Sequence, residues 1–109
     1  MAKFHRLKIW PSVFEDVRRE VKTFELRKND RGYAIGDCLV LDAWSPERNA
    51  YVNDERSLIR LVTYVLHGGR FGLEEGYVAL GIAPVGSLDA LYAEELLREL
   101  APLRPVDGG

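Results

Sequence analysis

The stretch Leu58 to Leu66, LIRLVTYVL, is the most continuously apolar run in the chain, and it restricts the fold more than any other feature. It is rich in β-branched and aromatic side chains, which crowd a helical turn but sit well on a pleated surface. It therefore predicts a strand covered on both faces. The run also falls far short of the ~18 consecutive apolar residues that a spanning helix needs. No membrane anchor is expected, and Lys3, Arg6 and Lys8 break the apolar positions of the first ten residues, so no signal peptide is expected either. A chain of 109 residues makes one core rather than two. At this size folding buries roughly 65% of the surface of the open chain, so neither a disulfide nor a structural metal is required. The single cysteine, Cys38, cannot form an intramolecular disulfide, and no Cys/His cluster has zinc-ligand spacing. No metal or cofactor is expected, and the reducing cytoplasm is the expected compartment.

Two other segments alternate with period two. His5-Arg6-Leu7-Lys8-Ile9-Trp10 reads as a strand with one wet face, closed by Pro11. In Lys22-Thr23-Phe24-Glu25-Leu26-Arg27-Lys28, Phe24 and Leu26 point one way while Thr23, Glu25 and Arg27 point the other, onto an exposed or cleft-lining side. Between them, Ser12 and Glu15 stand at capping-box spacing ahead of Val17, which predicts a helix from Ser12 to Glu20. Asn29-Asp30-Arg31-Gly32 and Ile35-Gly36-Asp37 have turn chemistry, Leu39-Val40-Leu41 reads as a strand ended by Trp44-Ser45-Pro46, and Tyr77 to Ile82 as a last strand. One early helix, four or five strands and no βαβ rhythm suggest a small mixed α+β barrel over residues 1–85. In residues 86–109, Leu88, Tyr92, Leu96 and Leu100 recur at every fourth position after Ser87, which predicts a C-terminal helix followed by a frayed tail. Its apolar stripe either covers the barrel or forms a homodimer through residues 87–100.

Charge is unevenly distributed. Residues 1–31 hold nine Lys and Arg against five Asp and Glu, while the rest of the chain holds six against twelve. A near-neutral domain with one basic segment is able to present an anion-binding surface, although such residues also form ordinary solvated faces.

The ordered series His5-x-Leu7-Lys8-Ile9-x-Pro11, Lys22-x-x-Glu25-x-Arg27, Lys28-Asn29-Asp30-Arg31, Gly36-Asp37, Gly68-Gly69-x-Phe71-Gly72-Leu73 and Gly76-Tyr77-Val78 resembles the ASCH domain, a branch of the PUA-like superfamily. Within it, the chain is most similar to a small uncharacterised bacterial and phage family. The resemblance implies a PUA-like mixed β-barrel of five to six strands, with an N-terminal helix beside a cleft that is lined by the signature residues and binds RNA or a modified nucleotide. In that family a glycine commonly stands two positions before the signature lysine; here the position holds Glu20. A left-handed helix end would cost a non-glycine residue roughly 1 kcal/mol or more, so a different helix ending is expected.

The chemistry of the residues is compatible with such a ligand. Lys22, Arg27 and Lys8 offer only donors, and a guanidinium grips a phosphate or base edge in bidentate fashion. Glu25 accepts from exocyclic amino groups, or else orients Arg27 in a structural ion pair. Asp30 and Arg31 are expected beside this cleft. In the loop His67 to Gly72, Arg70 adds charge and Phe71 a stacking platform, or the loop is simply a tight connection; its spacing fits neither the P-loop nor the dinucleotide fingerprint. Tyr33, Trp44 and Trp10 are further candidates for base stacking. Some small ASCH proteins resemble amidohydrolases acting on acetylated cytidine, in which the signature lysine works with a threonine where this chain has Glu25. That difference, and the preference of a lysine beside a carboxylate for its charged form, favour binding over hydrolysis.

Overall fold

A computed structural model describes residues 3–52 and 56–85. The elements run β1 (Phe4–Ile9), α1 (Pro11–Arg18), β2 (Phe24–Lys28), β3 (Cys38–Ser45), β4 (Ala50–Tyr51), β5 (Leu58–His67) and β6 (Tyr77–Pro84). They form a six-stranded mixed sheet of order β1-β3-β5-β6-β2, with β4 hairpinned onto β3. The β1–β3 pair is parallel, with Leu7 beside Leu41, and the other pairs are antiparallel.

The expected closed barrel is not formed. β1 and β2 lie at the two ends of the strand order and share no backbone ladder. Guanidinium groups span their edges instead. Arg27 Nη2 donates to Lys8 O at 2.9 Å and Arg31 Nη1 donates to Arg6 O at 3.0 Å. β1 leads directly into α1, which packs against β3, and β2 pairs with β6 alone. Among the described residues α1 is the only helix, and the predicted C-terminal helix over residues 87–100 lies outside them.

The core lies on one face of the sheet, where Leu7, Ile9, Leu39, Leu41, Val62, Val78, Leu80 and Ile82 meet Phe14 and Val17 of α1. The Ser12–Glu15 capping box is not made. The helix begins one residue earlier, with Pro11 in its first turn and Trp10 at the cap without a side-chain bond. Proline is suited to that place because its missing N–H needs no partner there. Glu15 pairs with Arg18 instead. At the other end Glu20 does take a left-handed conformation, φ 61°. Glu20 N donates to Val17 O and Val21 N to Asp16 O, the two bonds of a Schellman ending. Arg60 of β5 also reaches the helix end, donating to Val17 O at 3.0 Å. Burial lowers the pKa of Arg60, opposed by the charge of Glu20.

β5 departs from the expectation of a strand covered on both faces. Only Val62 within it is fully buried, and Tyr64 is 61% exposed. A bulge at Thr63 shifts its register with β6, and α1 packs on a single face. At the far end of the β5–β6 hairpin, Gly68 is pressed against backbone: a Cβ there would lie 1.9 Å from Glu74 O.

A second constraint anchors the start of β1. Asp37 accepts from Lys3 N, Ala34 N and His5 Nε2, the last at 2.8 Å. Burial raises the Asp37 pKa, but the hydrogen bonds from His5, Lys3 and Ala34 outweigh it and hold the carboxyl below its ordinary value. Tyr33 packs on His5 with ring centroids 4.7 Å apart. Burial pushes the Tyr33 phenol above its ordinary pKa, against the opposing charges of Arg31 and Arg27.

Candidate functional site

The open seam between β1 and β2 is a cleft of about 320 Å³. Ile9, Trp10 and Val13 line one side, from the end of β1 and the first turn of α1; Lys22, Phe24, Glu25 and Arg27 line the other. The volume is at the small end of the roughly 300–1,000 Å³ typical of ligand pockets.

β2 is inside out relative to an ordinary amphipathic strand. Glu25 and Arg27 pair in register with Leu80 and Val78, both buried, so their side chains share the core-facing side. Phe24 and Leu26, facing outward, are 48% and 54% exposed. A carboxylate therefore stands where most of the sheet places aliphatic residues, at 4% exposure.

Glu25 Oε2 accepts from Lys22 Nζ at 2.9 Å. The same ammonium donates to Phe24 O and lies 4.8 Å from the Phe24 ring centroid. Oε1 is buried without a hydrogen-bond partner. Its nearest cation, Arg27 Nη2, is 3.8 Å away, close enough for attraction but too far for a hydrogen bond. A buried carboxylate oxygen lacking a donor is costly, on the order of 1–3 kcal/mol.

The remaining sequence candidates are distributed differently. Lys8 lines the cleft, and its carbonyl holds Arg27, but its ammonium sits 4.0 Å from the ring centroid of Trp44, a residue that does not line the cleft. Arg31 braces β1 through Arg6 O, and Asp30 is exposed in the turn after β2. Neither lines the cleft. Arg70 and Phe71 belong to a tight turn at the β5–β6 tip, closed by Leu73 N donating to Arg70 O at 2.9 Å. Phe71 is 84% exposed and plugs no core. Of the aromatics, Trp10 rims the cleft at 62% exposure, Tyr33 is buried in the core, and Trp44 packs on Tyr51. Phe24 and Val13 were not legible as site residues. Strand periodicity assigns Phe24 to the side away from Glu25, and only its place on an edge strand brings it to the rim. Among the described residues, no three His, Cys, Asp or Glu side chains gather as a metal site.

Residues 4–82 match the family described as a domain of unknown function, DUF3850. The chain belongs to that family. The DUF3850 match takes in all the cleft residues and every strand through Ile82 of β6. An uncharacterised 12.9 kDa protein in the GpA 3′ region of Escherichia phage P2 is 43% identical over 44 residues. That stretch is 40% of this chain and 40% of the phage protein, so the chain spans about two fifths of the length of the curated relative it matches.

Proposed function

We propose that this DUF3850 domain binds a nucleobase in the β1–β2 cleft, carried by RNA or by a nucleotide, as its resemblance to ASCH domains of the PUA-like superfamily also implies. The supporting observation is the Glu25 carboxylate, buried between Lys22 and Arg27 with Oε1 lacking a donor. A pocket for a simple anion would carry cations alone, since a central carboxylate repels such a ligand. A base edge is different, because it presents N–H and carbonyl groups side by side and meets both kinds of protein group. Trp10 and Phe24, both exposed at the rim, supply aromatic faces on which a base stacks.

Hydrolysis of an acylated cytidine has less support. Lys22 Nζ already donates to Phe24 O and Glu25 Oε2, and Thr23 is exposed and not part of the cleft lining.

The test is an NMR titration of the isotope-labelled full chain with nucleosides, nucleotides and short single-stranded RNAs. Saturable shifts are expected at Trp10, Lys22, Glu25 and Arg27. Arg27→Ala, checked for folding by circular dichroism, should weaken the interaction by about tenfold or more. Cleft resonances that stay in place with every ligand, or equal binding by the variant, would refute the reading.

A further inference from the structure

Resting on the base-binding reading, we infer that the cleft selects the imide edge of a uracil-type base. The inference comes from the order of hydrogen-bonding groups along the cleft. Lys22 Nζ carries three N–H groups and spends two, on Phe24 O at 2.6 Å and Glu25 Oε2 at 2.9 Å. Glu25 Oε1 accepts, has no donor and is shielded from solvent, so a base reaches it only as a rim side chain gives way. Arg27 carries five N–H groups and commits Nη2 to Lys8 O at 2.9 Å. The cleft thus reads donor, acceptor, donor from Lys22 through Glu25 to Arg27.

The complementary edge reads acceptor, donor, acceptor. Uracil has that order in its two carbonyls flanking N3–H. Cytosine offers donor, acceptor, acceptor, which places the lone pair of its N3 against the carboxylate. Guanine offers acceptor, donor, donor, which sets its amino group against the Arg27 guanidinium. Adenine lacks the third group. Only the imide gives the orphaned Glu25 oxygen an N–H while leaving both cations facing carbonyls. A mismatch leaves a buried polar group unpaired, which is the condition under which a site discriminates most strongly.

The experiment compares uridine, 3-methyluridine, cytidine and guanosine by NMR titration and calorimetry on the full chain, with uridine monophosphate and a short oligouridylate as further arms. Uridine should bind about tenfold or more tightly than cytidine and guanosine. Methylation of N3, which removes the donor and adds bulk next to Oε1, should weaken binding by a similar factor. Glu25→Gln, whose amide both donates and accepts, should narrow the gap between uridine and cytidine. The monophosphate and oligouridylate arms separate a free nucleotide from RNA as the source: equal affinity for the two assigns the site to a single nucleotide, and a gain with chain length assigns it to RNA. Cytidine, guanosine or 3-methyluridine shifting the cleft residues as strongly as uridine would overturn the imide inference and leave base binding standing. No response to any of these ligands would overturn both.

Discussion

Glu25 occupies the one core-facing position of the described sheet where a carboxylate replaces an aliphatic side chain among neighbours such as Leu80. Burying an ion pair is weak evidence for stability, since desolvation offsets most of the Coulombic gain. On the proposed reading, a base bound in the cleft completes the arrangement. Glu20 shows a different kind of cost. Its left-handed φ of 61° carries roughly 1 kcal/mol of strain or more, which glycine would relieve. Glycine also gives the unfolded chain more freedom, so Glu20→Gly should raise stability by a net of about 0.5 kcal/mol in urea denaturation. A lower midpoint would mean that the attraction between Glu20 and Arg60 outweighs the strain. Asp37 gives the acid dependence. Its folded pKa lies below the ordinary 3.8, so its contribution is complete above that pH and is lost as pH falls through the lowered folded value. Asp37→Asn should therefore be less stable than the parent at pH 6, with the difference shrinking below pH 3.8 in parallel denaturation curves.

At the level of elements, the strands follow from alternation and turn chemistry, whereas their ends follow from contacts. α1 starts at Pro11 rather than after a Ser12 cap, because the chain turns out of β1 at Trp10 and no cap bond is needed. The glycine-rich loop is explained by crowding in the β5–β6 hairpin. Gly68 N donates to Tyr77 O at 2.8 Å, and its missing side chain leaves room for Glu74 O. Gly68→Ala should cost about 2 kcal/mol or more, because a backbone atom must move to admit the methyl group. Thermal unfolding of the variant would measure it. A loss below 0.5 kcal/mol, the range of ordinary surface substitutions, would show that the hairpin tip yields easily.

For the whole molecule, many basic side chains of the N-terminal segment are engaged within the protein, while Arg18, Arg19, Lys28 and Arg31 stay exposed. Arg6 pairs with Asp42, Lys8 with the Trp44 ring, Arg18 with Glu15, Lys22 with Glu25, and Arg27 and Arg31 with carbonyls of β1. Part of its charge therefore braces the fold, through Arg6, Arg27 and Arg31, and is not offered as one broad anion-binding face. Binding of a short oligouridylate should accordingly be only mildly salt-sensitive. The slope of log affinity against log salt should stay shallower than about −1.5, the value for roughly two neutralised phosphates on a single strand. A slope near −4 in fluorescence titrations would point to an extended phosphate-binding surface. No helix among the described residues is long and apolar enough to cross a membrane.

Periodicity and turn residues alone determined that β1, β2, β3, β5 and β6 are strands, that one helix follows the first, and that Lys22, Glu25 and Arg27 alternate with Phe24 and Leu26. These are local properties, set by backbone geometry within a few residues. Tertiary structure decided which side of β2 faces inward, that Lys8 turns to Trp44 while its carbonyl meets Arg27, and that Asp30, Arg31, Arg70 and Phe71 lie off the cleft. It also decided that the sheet stays open. Each of these depends on which strand lies beside which, a relation between residues far apart in the chain that no local pattern encodes. The cleft exists because β1 and β2 end the strand order without pairing with each other, and a carboxylate is tolerated in the resulting seam because cations from both its own strand and the preceding turn converge on it.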